Sequence, residues 1–199
     1  MLTVVTPAES TALTTVERAK ALVDFGSLSD EAISLLIEHA SAAVSDVCRR
    51  IFPLQTYRET FDCEDIRGAE FMLGRGPVIE ISTVILGCTP LPPTGYQADG
   101  QWLRRAGGCR LWGEAVDVTY KAGFNLSTDG SRTLPLPVER AVALEAAAYH
   151  ASRDRDELLK SETVEDIGAF SYRVPGGDDR LTSPTAAQLL RPYIVPMMG

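Results

Sequence analysis

Histidine is nearly absent from this chain, and with it most of the usual means of moving protons near neutral pH. Only His39 and His150 occur among 199 residues. Both fall in stretches with helical spacing, His39 beside an apolar stripe and His150 after Tyr149. They read as structural side chains rather than as a general base or metal ligands. No nucleophile elbow, phosphate loop or helical zinc motif occurs. The glycines Gly74, Gly76, Gly107 and Gly108 do not lie between a strand and a helix as a phosphate cradle would require, and read as turn glycines. The four cysteines, Cys48, Cys63, Cys88 and Cys109, contain no Cys-x-x-Cys pair, which removes the zinc-knuckle and dithiol redox signatures. They are expected to be small buried thiols.

Positive charge is also in short supply. Nineteen Lys and Arg face 27 Asp and Glu, for a net charge of −8 and a pI near 4.8, which disfavours a surface that grips nucleic acid. No apolar run approaches the roughly 20 residues that span a bilayer. The N-terminus carries no basic segment followed by an apolar one. A protein without a membrane partner, kept in the cytoplasm without a disulfide framework, is therefore expected. Acidic residues are plentiful, but Asp62, Glu64 and Asp65 around Cys63 lack the alternating ligands and central glycine of a calcium loop. They read as a solvated acidic turn. Arg104, Arg105 and Arg110 make a local basic spot that suits either an acidic neighbouring subunit or a solvated strand end. A hydrolase built on Cys63 or a histidine has no base or orienting partner at a sensible spacing. No catalytic, cofactor or metal residue is assigned, and no enzyme activity is expected.

What the chain does contain is architectural. Val116, Val118 and Tyr120 alternate with polar neighbours as in a half-buried strand. Ala122-Gly123-Phe124 break that pattern, and Pro137 sits where a helix opens. The helix expected over residues 137–153 carries Ala141, Ala147, Ala148 and Ala151, small residues that let another backbone approach closely. These four are the candidate packing face within or between subunits. Upstream, Thr14 and Glu17 form a capping box for a helix over residues 14–25, with Gly26 as its stop. Ser29 opens a longer helix over residues 29–52, whose Ile33, Leu36, Ile37, Ala40, Val44, Val47 and Ile51 share one stripe. Arg49 and Arg50 fall in its last turn, and Pro53 ends it.

Between residues 54 and 124 the signals change to short strands, at 56–61, 70–73, 78–86, 101–104 and 115–121, in a small antiparallel sheet or barrel. Trp102 and Trp112 are expected in or at the edge of that layer. The expected fold class is α+β: a small helical bundle with an inserted antiparallel β-rich region and a short C-terminal helix. Residues 1–13 read as an extended arm and residues 14–179 as the main domain. Residues 154–157 make a mixed-charge segment, and Lys160 to Tyr172, followed by Pro175-Gly176-Gly177, reads as a loop with a short extended piece. Residues 180–199 then form a terminal segment in which Ser183 and Pro184 open a brief helix. With too little length to bury its own apolar side chains, this tail is expected to find its home on a partner.

The order of these elements carries a resemblance. Val118-Thr119-Tyr120-Lys121-Ala122-Gly123-Phe124, then Leu136-Pro137-Val138-Glu139-Arg140-Ala141-Val142 opening a helix that closes on Tyr149-His150-Ala151-Ser152-Arg153, then Glu162 to Tyr172 with Gly168 and Ser171, is similar to the head-to-tail connector, or adaptor, proteins of long-tailed bacteriophages and gene transfer agents. The resemblance implies a structural subunit of the particle neck, assembled in the bacterial cytoplasm as a homo-oligomeric ring of twelve under the portal. The ring would extend the DNA channel, pass DNA without specific binding, and dock a stopper or other tail-side protein. By the same analogy Leu189, Leu190, Tyr193 and Ile194 are the candidate portal-docking residues. The alternatives are another neck ring, stopper or tail terminator, and a small cytoplasmic hydrolase.

Overall fold

The computed structural model describes residues 1–64, 66, 68–106, 112–128, 130–153, 161–164, 168–171 and 181–196, with 161–164 and 168–171 as backbone. The architecture is α+β. The chain divides into two compact units, a β unit of Met1–Ser10 with Ile51–Thr133 and a helical unit of Thr11–Arg50 with Leu134–Gly199.

In the β unit the strands are β1 (Leu2–Thr6), β2 (Gln55–Phe61), β3 (Glu70–Met72), β4 (Val78–Leu86), β5 (Thr89–Pro90), β6 (Tyr96–Asp99), β7 (Trp102–Arg105) and β8 (Val116–Ala122). They form one five-stranded sheet in the order β1-β2-β8-β4-β5 and one three-stranded sheet in the order β3-β7-β6. Every ladder in both is antiparallel. The alternation read in β8 is the alternation observed: Val116, Val118, Tyr120 and Ala122 are buried while Asp117, Thr119 and Lys121 are not. Together with Tyr57 and Val84 these residues share a core with Phe71, Leu73, Leu103 and Trp112. Phe71 sits between Phe61, at 4.4 Å between ring centroids, and Trp112, met edge-on at 5.1 Å. The Trp112 indole N–H donates to the Ala69 carbonyl at 3.2 Å. Trp112 is thus a core residue, whereas Trp102 is half-exposed.

Gly123 is the hinge out of this layer. Its φ is +117°, its N–H donates to the Pro77 carbonyl at 2.9 Å, and a Cβ there would run into the Pro53 backbone. Only glycine accepts both conditions.

Three strands depart from expectation. The segment that reads as an extended arm supplies β1, whose pairing partner β2 lies fifty or more residues away. Strands β5 and β6 fall where prolines and short length hid them.

In the helical unit the helices are α1 (Val16–Leu22), α2 (Asp30–Cys48), α3 (Leu136–Ser152) and α4 (Pro184–Leu190). α3 is central and packs against the other three. Ile33, Ile37, Ala40, Val44 and Cys48 of α2 face Val138, Ala141, Val142 and Ala146 of α3 in a core completed by Leu13, Ala19, Ala186 and Leu190. The stripe predicted for α2 is therefore largely the observed one, with Leu36 and Val47 at its half-buried margins. Its end is different. The helix stops at Cys48, and Arg49 adopts the left-handed conformation (φ 51°) as its cap, while the Arg50 N–H reaches back to the Ser45 carbonyl at 3.1 Å. Arg49 and Arg50 lie beyond the last turn rather than in it. Ile51 leaves with the β unit, where Phe52 is fully buried.

The cap of α1 is Thr15 rather than Thr14, its hydroxyl accepting from the Arg18 N–H at 3.4 Å. Ser29 caps α2 and Ser183 caps α4, as the sequence suggests. Two further strands, β9 (Ser161–Val164) and β10 (Gly168–Ser171), pair antiparallel where a loop with a short extended piece is expected. The mixed-charge run at 154–157, Tyr172 and the Pro175-Gly176-Gly177 loop lie outside the described residues.

Candidate interaction surfaces

Two carboxylates are buried in the helical unit, and each joins α3 to a different element. Glu139 accepts a hydrogen bond from the Thr14 hydroxyl at 2.8 Å and a two-pronged one from the Arg18 guanidinium, at 2.5 Å from Nε and 2.7 Å from Nη2. Only 1% of its side chain is exposed, against 46% for Arg18. A buried carboxylate needs such partners. This demand takes the Thr14 hydroxyl away from the capping box and raises the Arg18 pKa above its ordinary value, first through the hydrogen bond to Glu139 and then through its charge.

Glu145 is fully buried and accepts the Thr182 and Ser183 N–H groups at 2.7 and 2.8 Å. Burial, with the Glu145 charge and hydrogen bond added, pushes the Tyr149 phenol up to about 12. His39, exposed at the surface, stacks on the Tyr149 ring at 4.7 Å.

These contacts correct the expectation of a tail with no home of its own. α4 packs against α3, with Ala186 and Leu190 at 0% exposure and its entry fastened by Glu145. Leu190 is therefore a core residue of its own unit. Leu189 and Tyr193 are half-buried, and Ile194 and Val195 are each 38% exposed. This tip is held to the end of α2 by the Val195 N–H donating to the Cys48 carbonyl at 3.0 Å.

The alanine face is likewise redistributed. Ala141 is fully buried, Ala147 and Ala148 are half-buried, and Ala151 is exposed. Ala143 and Ala146 are at 0% exposure. With helices on several sides of α3, closeness is set by whichever alanine faces the nearest neighbour, and a sequence with alanines all round does not mark that one.

The β unit offers three further surfaces. On the outer face of the three-stranded sheet, Trp102 and Met72 lie side by side in register, flanked by Glu70, Asp99 and Arg104 around a shallow cavity of about 210 Å³. A groove of about 440 Å³ runs between residues 6–10 and Phe124–Ser127. The outer edges of the five-stranded sheet expose Val4 and Val5 on β1 and Ile79 on β4. The outer face of that sheet is polar, with Arg58 paired to Asp117 at 3.0 Å and Lys121 to Glu80 at 2.8 Å.

Of the thiols, Cys48 is buried and pushed up to about 11 by burial, while Cys63 and Cys88 are exposed, contrary to expectation. Both lie in or beside turns, where no core reaches them. Cys109, Gly107, Gly108, Arg110 and Asp65 lie outside the described residues. Among the described residues no three His, Cys, Asp or Glu side chains gather as a metal site, and no helix is long and apolar enough to cross a membrane.

No family model and no curated protein matches the sequence. Solved structures do. The fold is similar to that of a chain in the neck of an empty gene transfer agent (GTA) particle computed with C6 symmetry, at a TM-score of 0.62 and 19% identity, covering 100% of this chain and 98% of that one. It is similar in the same coverage to a chain of the virion of the native GTA particle, at 0.62 and 20%. A third likeness is to a chain in the neck of the native GTA particle computed with C12 symmetry, at 0.60 and 20%.

Proposed function

We propose that this chain is a structural subunit of the neck of a tailed phage or gene transfer agent particle, an adaptor that assembles as a twelve-membered ring beneath the portal. The observation that carries this reading is the likeness of fold along the whole chain to chains from GTA particles, two of them from necks. The order of sequence elements that resembles the adaptor family supports it independently. The work assigned to the protein is mechanical. Its buried carboxylates brace helices rather than perform chemistry, since Thr14 and Arg18 hold Glu139 and the Thr182 and Ser183 main chain holds Glu145, all groups of the fold itself. A charge of −8 on each copy gives the ring an acidic surface from which DNA phosphates are repelled, so that DNA passes without sticking.

Portal docking falls to the terminal tip, where Ile194 and Val195 are exposed beside Tyr193 and Leu189. Leu190 serves this face from beneath, by anchoring α4 in the core. A tail-side neck protein takes the opposite face of the ring. The test is co-sedimentation of the purified chain with the portal ring of the same particle. The full chain is expected to shift the portal to a faster species, and a chain ending before Ile194 is expected to stay folded by circular dichroism and leave the portal unshifted. A full chain that ignores the portal contradicts the placement. A truncated chain that still binds removes the tip from the docking face.

A further inference from the structure

The five-stranded sheet ends in two unfinished edges that match each other. β1 is the outermost strand on one side. On the other side β5 covers only Ile85 and Leu86 of β4, and the Val84 carbonyl is taken by the Leu91 N–H at 2.8 Å, so among the described residues no strand neighbours 78–83 on that side, along an edge whose register shifts between Val78 and Glu80 and between Ile81 and Thr83. That length suits the five residues of β1.

The backbone phase of β1 follows from its first pair. Met1 and Thr60 exchange both bonds, the Met1 amine donating to the Thr60 carbonyl at 2.6 Å and the Thr60 N–H to the Met1 carbonyl at 2.8 Å. Alternation then turns the N–H and C=O groups of Leu2 and Val4 away from β2. β1 contains no charge and no proline, two of the usual guards of an exposed edge, and its one irregularity is the register shift between Val4 and Thr6, which leaves Leu2 to Val4 as a regular edge. Three exposed β-branched residues are divided between the two edges: Val4 at 46% and Val5 at 54% on β1, Ile79 at 59% on β4.

Direction completes the match. β1 runs antiparallel to β2, β2 to β8 and β8 to β4, so β1 and β4 are themselves opposed. A second copy set beside the first in the same orientation brings its β1 to the first copy's β4 already antiparallel. Such a contact is head-to-tail, the kind that closes into rings, whereas β1 against β1 makes a two-fold pair and leaves Ile79 bare.

We propose that β1 of one copy pairs antiparallel with the free edge of β4 in the next copy, joining neighbouring sheets around the ring. The proposal rests on the ring reading of the function. Cysteine cross-linking of the full chain tests it, with Cys63→Ser, Cys88→Ser and Cys109→Ser as background. Val4→Cys is combined in turn with Ile79→Cys, Ser82→Cys and Thr83→Cys, and is also made alone. Within one chain the two edges stand three strand spacings apart, about 14 Å, beyond the roughly 7 Å a disulfide can span. Any bridge is therefore between copies.

Linked dimers, trimers and longer species are expected from at least one combination under mild oxidation, with none from Val4→Cys alone. Val4→Pro removes an N–H that the alternation turns away from β2. It is expected to keep the monomer folded and to abolish assembly. Self-linking by Val4→Cys alone overturns the proposal in favour of two-fold pairing, and so does the absence of links in every combination. Sedimentation of the same material separates the two failures: rings without links leave the ring reading standing, and monomers at every concentration remove both.

Discussion

The two units hold charge in opposite ways. In the helical unit, Glu139 and Glu145 lie in the core, each bonded to a segment distant in sequence. In the β unit the ion pairs Arg58–Asp117 and Lys121–Glu80 lie on the outer face of a sheet whose backbone ladder already fixes the register. Helices packed through alanines can slide and rotate, because small side chains interlock weakly. A buried carboxylate with fixed donors removes that freedom, since leaving it unpaired is costly. A sheet needs no such device. The difference assigns positional accuracy in the helical unit to two side chains, and in the β unit to the main chain.

The sharpest way to break this comparison is to remove one partner from each unit and measure urea unfolding. Arg18→Ala takes the two-pronged guanidinium from the buried Glu139 carboxylate, and is expected to lower stability by about 3 kcal/mol. Lys121→Ala acts on a pair exposed on both sides, 46% and 56%, and is expected to change stability by no more than about 0.5 kcal/mol. Equal effects would erase the distinction.

A smaller, pH-dependent effect sharpens it. The Tyr149 phenol is pushed from an ordinary 10.0 to about 12, so the folded state holds this proton more tightly than the unfolded one. The stability it represents is complete below pH 10 and is lost as pH rises toward about 12. Tyr120 of the β unit is raised as well, by burial and by the Glu59 charge and hydrogen bond, and Tyr57 by burial. Melting temperature should therefore fall across this range. Tyr149→Phe should soften the fall without abolishing it, leaving the share of the β-unit tyrosines. An unchanged slope in Tyr149→Phe would mean that Tyr149 is not held back by its surroundings.

Sequence periodicity served best where structure is local. β4 runs over Val78–Leu86 as its spacing predicts, and Ser29 and Ser183 are the caps their positions predict, because alternation and capping are decided within a few residues. What escaped is decided at a distance. Thr14 looks like a cap until Glu139, 125 residues on, claims its hydroxyl. β1 looks like an arm because its pairing partner begins at residue 55. Leu190 looks like a docking residue because a seven-residue helix cannot bury itself, and the Glu145 acceptor that fastens it to α3 lies on another helix. The candidate faces were therefore legible as apolar segments, but which of their residues point outward was not.

The central claim is that this chain acts by presenting shaped faces to copies of itself and to neighbouring particle proteins. Electron cryomicroscopy of the particles made by the producing cell tests it most directly. The account predicts a ring of this fold in the neck, directly beneath the portal, with Ile194 and Val195 at the portal contact. A neck whose density is fully explained by other chains would contradict it.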